Sequence, residues 1–337
     1  MSRPSPKKKP GKLDPTPSSK PAAGERNLIF KVLLILLSGL FVYAPVFHGG
    51  WLWDDDQEIT ANAILPDPQG LAKIWIDVNA LEKTPASLGD VPFPGKAALE
   101  RLLSFLPAQG ADYFPLKTTV QWLLYRVFQT DQTGWHLTNI ALHLVNAFLI
   151  WALFRRLGIR EAWIGGLLFA IHPILVESVA WVSELKNTLS LPFLILAMLA
   201  YINFEERGSR RDLIFAVLAY LASILCKTSV VMFPFVILLY GWWRGVGNRS
   251  PADRLVPWES GNPFFARVLA LANAVPRRTV LASIPFFLIS LILGLITIHF
   301  QHGRAIGTET IPVGGLLSRT ATAGMAVFFY LYKTILP

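Results

Sequence analysis

The sequence predicts an all-α protein that crosses a membrane several times, and three observations lead to this fold class. Hydrophobic residues make up 53% of the 337 positions, against 16% charged ones. The apolar residues occur in runs of membrane length rather than in amphipathic stripes or alternating patterns. Lys and Arg residues are concentrated in alternate loops between these runs, which is typical of cytoplasmic loops. We therefore expect a multi-pass helical bundle with about eight spans.

The first span is expected over about residues 28–47, after a basic tail. Residues 1–27 are rich in Pro, Ser and Lys, and the tail is predicted to be disordered because it has little apolar surface to bury. Its lysines indicate a cytoplasmic N-terminus in the cell (inner) membrane, and they are interpreted as a topology signal rather than a nucleic-acid site. The first span has no small-residue cleavage pattern, so no cleaved signal peptide is expected.

Residues 51–115 then form an outer loop, where two short amphipathic pieces near residues 71–75 and 97–105 predict interfacial helices. Residues 115–128 are short and polar for a span and are interpreted as re-entrant or interfacial. Further spans are expected at 137–157, 162–182, 189–204, 213–225, 230–243, 280–300 and 321–336. Arginines place the loop 245–278 in the cytoplasm.

An acidic group follows the first span and is flanked by two tryptophans that favour the membrane interface: Asp54, Asp55, Asp56 and Glu58, beside Trp51 and Trp53. Such carboxylates form either a solvated turn, a divalent-cation site at Asp54 and Asp55, or a functional site. In the functional interpretation, a carboxylate acts as general base and takes a proton from an acceptor hydroxyl while a sugar phosphate leaves.

The expected topology brings further polar residues to the same outer side, which suggests a polar cavity open to that side: Lys117, His136, Asn139, His172, Glu177, Glu184, Lys186, Lys227 and Arg304. His136, Asn139, His143 and Asn146 fall on one stripe of a helix. Hydrogen bonding between helices and a cavity wall are both compatible with that stripe.

Pro173 interrupts an apolar run, and Glu177, Trp181 and Glu184 are expected on one face of the helix that follows it. A solvated helix end with ion pairs would also explain these charges. Lys227 either extends its ammonium to the interface or binds a lipid phosphate.

Short motifs occur in a fixed order along the chain: Trp53-Asp54-Asp55, Tyr113-Phe-Pro-Leu-Lys117, His136-Leu-Thr-Asn139, His172-Pro173-Ile-Leu-Val-Glu177, Ser183-Glu184-Leu-Lys186-Asn187, Cys226-Lys227-Thr228 and Phe329-Tyr330-Leu-Tyr-Lys333. Over residues 51–337 this series resembles the membrane half of bacterial relatives of the tetratricopeptide-containing transmembrane O-mannosyltransferases, which are GT-C glycosyltransferases. That family continues with further spans and repeats, so the resemblance implies a truncated chain with a GT-C-like transmembrane domain over residues 28–337.

The resemblance implies a polyprenyl-phosphate sugar donor, a protein or glycan acceptor, and inverting transfer on the non-cytoplasmic side. It makes Asp54 and Asp55 the catalytic pair and places the other outer residues around the donor phosphate and cavity. The chain departs from the family at Phe114, where better-known relatives carry Arg, and at Leu185, where related bacterial sequences often carry Arg. An apparent insertion lies at about residues 81–111.

Two other classes of function remain open at this point. A transporter or flippase for a lipid-linked or anionic solute would need an inverted repeat and charges at the bilayer midplane, whereas the charges here cluster at one edge. A non-catalytic, truncated membrane scaffold is the other alternative.

Overall fold

A computed structural model describes residues 28–76, 97–98, 113–247, 275–301 and 314–335, and this part of the chain is helical, without a β-strand. Short 3₁₀ turns separate several of the α-helices. In chain order the helices are α1 (Leu28–Val42), α2 (Gly70–Trp75), α3 (Pro115–Phe128), α4 (Gln132–Arg156), α5 (Ala162–Ile171), α6 (Val176–Ala180), α7 (Leu185–Arg207), α8 (Arg210–Cys226), α9 (Phe233–Gly247), α10 (Arg277–Gln301) and α11 (Leu316–Ile335).

Three segments are long and apolar enough to cross a membrane, by length and composition within the described residues. They are Gln132–Arg156, Val182–Arg207 and Arg277–Ile298, and the bent pair Ala162–Ile171 with Pro173–Ala180 makes a fourth if it counts as one span. Helix α1 is apolar but only 15 residues long. The described chain is thus an α-helical membrane protein with three or four candidate spans.

The expected interfacial helix near residues 71–75 is present as α2, and residues 115–128 form α3. Fourteen residues at about 1.5 Å each give α3 a length of about 21 Å, which is less than the hydrocarbon core of about 30 Å. The tail 1–27, the apparent insertion 81–111 and most of the loop 245–278 lie outside the described residues, as does most of the second amphipathic piece, 97–105.

The segment after Pro173 differs from the expected single helix. Helix α6 ends at Ala180, and Trp181 is extended, with φ −87° and ψ 117°. Glu184 then lies in a 3₁₀ turn that leads into α7. Glu177, Trp181 and Glu184 therefore do not share one helical face, because the extended residue between them breaks the helical period. The two halves of the interrupted run are bent by 53°.

Helices α7 and α8 form an antiparallel pair at the centre of the bundle. Gly208 ends α7 in the left-handed region at φ 72°, a conformation that costs glycine little. Aromatic residues from three elements, Tyr201, Tyr220 and Phe286, pack in the core between α7, α8 and α10. A fully packed aromatic core fixes the relative positions of the helices that lead into the site.

Helices α1, α4 and α5 form a second packing unit around Ile35, Ala147 and Ala170. Gly166 lets α5 approach α4 closely, since a Cβ atom there would lie 2.7 Å from the Ala147 carbonyl oxygen. This close contact orients the α5 end that leads to His172.

Candidate active site

Asp55 joins the loop that follows the first helix to the chain between α6 and α7. Its carboxylate is fully buried, and Oδ1 accepts hydrogen bonds from the Ser183 backbone N (2.7 Å) and Oγ (2.5 Å). Its Oδ2 accepts from the Leu52 backbone N at 2.9 Å. Three donors satisfy both oxygens, so Asp55 fixes the position of the loop against residues 182–184.

Asp54 is half-buried and has a different environment from its neighbour. Its Oδ1 atom is buried and accepts no hydrogen bond from the part of the chain that is described. The Asp54 backbone oxygen accepts from the Glu58 N at 2.9 Å, which holds the turn in place. A buried carboxylate oxygen without a donor is costly in a folded protein, which makes Asp54 a candidate for a functional role.

Trp53, which precedes the pair, is 75% exposed and lies in the left-handed region at φ 46°. A residue with a Cβ pays about 1–2 kcal/mol in that conformation. Its ring meets the Trp181 ring edge-on, with centroids 4.8 Å apart and an interplanar angle of 82°. The Trp181 indole N–H is buried and has no acceptor among the described residues.

Glu58 anchors the other end of the acidic group to α3. It forms a salt bridge with Lys117 and accepts a hydrogen bond from Gln121 Nε2 at 3.1 Å. Burial raises the pKa of the Glu58 carboxyl, but the Lys117 charge and the hydrogen bonds from Lys117 and Gln121 outweigh burial, so the pKa lies below its ordinary value. Lys117 is buried in this pair, which occupies the ammonium that was expected near a donor phosphate.

A second cluster of charges lies at the start of α7 and the end of α8. Glu184 contacts two ammonium groups, Lys186 at 2.8 Å and Lys227 at 3.5 Å. Asn187 donates to Glu184 and accepts from Lys227. Two ammonium groups share one carboxylate, so the cluster carries a local excess of positive charge in a mostly buried setting.

The two clusters are linked through the aromatic pair, since Lys186 contacts the Trp181 ring and Trp181 contacts Trp53 of the acidic loop. Lys186 lies over the Trp181 ring, 5.8 Å from its centroid. One end of α7 therefore brings together the acidic group, the aromatic pair and the lysines. The acids and the lysines were predicted on one side of the bundle.

The polar stripe of α4 mostly forms hydrogen bonds between helices. Asn139 donates to the Trp181 oxygen (3.2 Å) and accepts from Thr188 Oγ1 (3.0 Å), and Asn146 donates to the Thr188 oxygen (2.8 Å). His143 meets the Ala170 oxygen at 3.1 Å. His136 differs, since its buried ring meets only the backbone of Gly49 and Gly50 and forms no hydrogen bond of good geometry within the described residues. A Cβ added to Gly49 would lie 2.9 Å from His136 Nε2, which places this ring beside the end of the first span.

Two expected site residues lie elsewhere, and a third is not among the described residues. His172 Nε2 meets the Thr334 oxygen of α11 at 3.2 Å, and its Nδ1 accepts from the Ile174 N at 3.3 Å. Glu177 is exposed on α6. Arg304 lies outside the described residues.

The described residues offer little to a divalent cation. No group of three or more His, Cys, Asp or Glu side chains with suitable placement occurs among them. Both Asp55 oxygens already accept hydrogen bonds, so Asp54 is the one carboxylate of the pair with a free buried oxygen. The expected cation at Asp54 and Asp55 stays a prediction, and no chemical step below depends on it.

Sequence reasoning assigned no role to Ser183, Gln121 or Asn187, although each holds a charged site residue in place. Ser183 and Asn187 flank Glu184 and Lys186 in the motif noted above, which was the available signal. Their partners are 128 and 40 residues away in the chain, so spacing gives no indication of these contacts.

Comparison with known proteins gives a family model and two curated relatives. Residues 113–261 match the family described as dolichyl-phosphate-mannose-protein mannosyltransferase. A protein O-mannosyl-transferase of Caenorhabditis elegans is 22% identical over 234 residues, which cover 68% of this chain and 30% of the relative. The protein O-mannosyl-transferase Tmtc1 of Drosophila melanogaster is 32% identical over 198 residues, which cover 56% of this chain and 20% of the relative.

The chain thus spans between a fifth and a third of the length of these relatives. No solved structure matches it. The family match includes α3 to α9, and with them Lys117, Glu184, Lys186 and Lys227. The resemblance expected from the ordered motifs is confirmed: over the matched residues the chain is similar to protein O-mannosyl-transferases.

Proposed function

We propose that the protein transfers a sugar from a polyprenyl-phosphate donor to a hydroxyl of a protein or glycan acceptor. Mannose is the sugar that the names of the family and its relatives suggest. The observation that carries the proposal is the contrast within the acidic pair. Asp55 is held by three donors, whereas Asp54 has a buried oxygen without one.

In the proposed reaction, Asp54 accepts the proton of the acceptor hydroxyl. The acceptor oxygen attacks the anomeric carbon from the side opposite the phosphate, and the bond between that carbon and the phosphate oxygen breaks. The configuration at the anomeric carbon is inverted. The leaving polyprenyl phosphate keeps the electron pair, and its negative charge is stabilised by Lys186 and Lys227. Arg304 is a further candidate for contact with this phosphate.

We also propose the membrane arrangement that this chemistry needs. The N-terminus is cytoplasmic in the cell membrane, the candidate site faces the outer side, and the chain crosses the bilayer about eight times. Support comes from α1, α8 and α9, which are apolar helices of 15, 17 and 15 residues. These helices pack with the longer spans in one bundle, and 3₁₀ turns extend α1 and α9.

Substitution of Asp54 tests the proposal. Asp54→Asn should lower the rate of sugar transfer at least 100-fold, because the amide cannot accept the hydroxyl proton. Membrane insertion and the melting temperature should not change, since no hydrogen bond to this side chain is lost. Transfer from a radiolabelled polyprenyl-phosphate mannose to total membrane protein measures the rate. Asp56→Asn, at an exposed position, is the matched control.

Retention of transfer in Asp54→Asn would contradict the assigned base. Movement of the lipid-linked sugar across proteoliposomes without covalent transfer would favour a flippase instead, and neither activity would favour a scaffold.

A further inference from the structure

The aromatic pair Trp53 and Trp181 has no role in the reaction proposed above. Trp51 has a structural role, since its ring packs edge-on against the buried Trp135 in a core cluster. Trp53 instead presents most of its surface to the outside while its backbone is held at φ 46°. A tryptophan that only anchors a protein in the head groups needs no fixed ring orientation. Strained backbone at a residue next to the candidate base points to a functional role.

Trp53 has a neighbour through space, Trp181, and a neighbour along the chain, Asp54. Lys186 lies over the Trp181 ring at 5.8 Å, and the Trp181 ring meets the Trp53 ring at 4.8 Å. Trp53 is followed directly by Asp54. A cation and two aromatic rings therefore form a row in space, and the chain carries the candidate base directly after the second ring.

A lipid-linked sugar about to react presents its groups in the same order. Its phosphate needs a cation, and its reacting carbon must lie near the base that activates the acceptor. The sugar ring lies between them. One face of a hexose ring is lined by C–H groups, which pack on the flat, electron-rich face of an indole. The buried Trp181 N–H, which lacks an acceptor among the described residues, adds a donor for a sugar hydroxyl.

We propose that Trp53 is the stacking surface for the sugar ring of the donor, and that Trp181 fixes the angle of that surface. This assignment rests on the proposed function and names the residue that distinguishes a sugar-bearing lipid from the bare lipid phosphate. Trp53 positions the donor sugar, and Asp54 remains the base.

Donor binding without acceptor tests the assignment, because no transfer then occurs. Two probes are titrated into purified protein by calorimetry: a short-chain polyprenyl-phosphate mannose, and the same polyprenyl phosphate without the sugar. Wild-type protein should bind the mannose-bearing probe more tightly. Trp53→Ala should lose about tenfold in affinity for that probe and keep its affinity for the bare one.

Two further variants separate stacking from general apolar contact. Trp53→Phe keeps a flat ring and should stay within about threefold of wild type, whereas Trp53→Leu should resemble Trp53→Ala. Trp243→Ala, which removes an exposed tryptophan on α9, is the matched control and should not change either affinity. All of these variants should fold, because Trp53 is exposed and its replacements also carry a Cβ.

Each outcome decides between the two proposals. If wild-type protein does not prefer the mannose-bearing probe, the proposed function is contradicted, and the Trp53 assignment that rests on it is contradicted as well. If wild type shows the preference and Trp53→Ala retains it in full, only the Trp53 assignment is overturned. The Trp53 assignment would also be overturned if Trp53→Leu and Trp53→Phe bound the mannose-bearing probe equally well, or if Trp53→Ala lost the same affinity for both probes. Either result would indicate that Trp53 is a membrane anchor.

Discussion

Adjacent carboxylates, Asp54 and Asp55, have opposite environments in this protein. Asp55 is buried and accepts three hydrogen bonds, while Asp54 keeps a buried oxygen free of donors. One residue of the pair thus stabilises the loop, which leaves the other for chemistry.

Substitution of Asp55 should therefore affect stability rather than only activity. Asp55→Ala leaves the Ser183 N, Ser183 Oγ and Leu52 N without their acceptor and should cost about 3 kcal/mol or more in the free energy of unfolding. Thermal unfolding in detergent measures the loss, and Asp56→Ala at the exposed neighbouring position is the control. Equal melting temperatures for the two variants would contradict a structural role for Asp55.

The Glu58–Lys117 pair should make stability depend on pH. The pKa of Glu58 is lower in the folded protein than in the unfolded chain, so its contribution is present above about pH 5 and is lost as the pH falls below about 4. The melting temperature of wild-type protein should fall over that range.

Lys117→Met should weaken this dependence. Without the ammonium, only the Gln121 hydrogen bond and the Lys186 charge still lower the Glu58 pKa against burial, so acidification should destabilise the variant less than wild type. At pH 7 the variant should lose about 2 kcal/mol, less than for a fully buried pair because 28% of the Glu58 side chain is exposed. Melting curves from pH 4 to pH 7 measure both effects, and an unchanged profile would argue against the pair.

Helices α4 and α7 are joined by hydrogen bonds of amide side chains as well as by apolar contacts. Asn139 bridges Trp181 and Thr188, which sets the extended residue and the start of α7 against α4. The hydrophobic effect does not drive helices together inside a bilayer, so close packing and such hydrogen bonds decide which helices pair.

Asn139→Leu should cost about 1 kcal/mol of stability, because it removes two polar contacts between membrane helices of about 0.6 kcal/mol each. It should also lower sugar transfer more than stability, because the carbonyl of Trp181 loses its donor and the aromatic pair is no longer held. Leu137→Ala, at a largely exposed position on the same helix, is the control for both readouts. If the variant lost stability but kept its rate of sugar transfer, Asn139 would have a role in helix packing only.

The two ends of the helical bundle carry different charged groups. At one end Glu58, Lys117, Glu184, Lys186 and Lys227 surround the acidic pair. At the other end Arg156 binds Glu206 and Asn203, and Arg278 donates to the Phe204 oxygen at 2.8 Å. Helix α7 connects these ends, since Glu184 precedes its first residue and Glu206 lies in its last turn. The proposed topology puts the arginine end in the cytoplasm.

Labelling of single cysteines should confirm this orientation. The chain has one cysteine, Cys226, which is buried, so Cys226→Ala provides a background without thiols. In that background Asp56→Cys should react with an impermeant maleimide in intact cells, whereas Arg211→Cys should react only after permeabilisation. Both positions are exposed in the structure. The reverse pattern would place the candidate site in the cytoplasm and contradict the proposed function.

The amino-acid sequence is enough to predict the helical membrane class, the end of the bundle to which most of the acids and lysines belong, and the similarity to O-mannosyl-transferases. The length of apolar runs, the basic residues beside them and the ordered motifs are local properties, so they can be recognised without a fold. The contacts of each charged residue at that end follow only from the packing of the helices. The hydrogen bonds of Asp55 and the pairing of Lys117 with Glu58 join residues 128 and 59 positions apart, and the break at Trp181 ends the expected helical face. Such contacts depend on how helices pack, which neither periodicity nor spacing along one chain specifies.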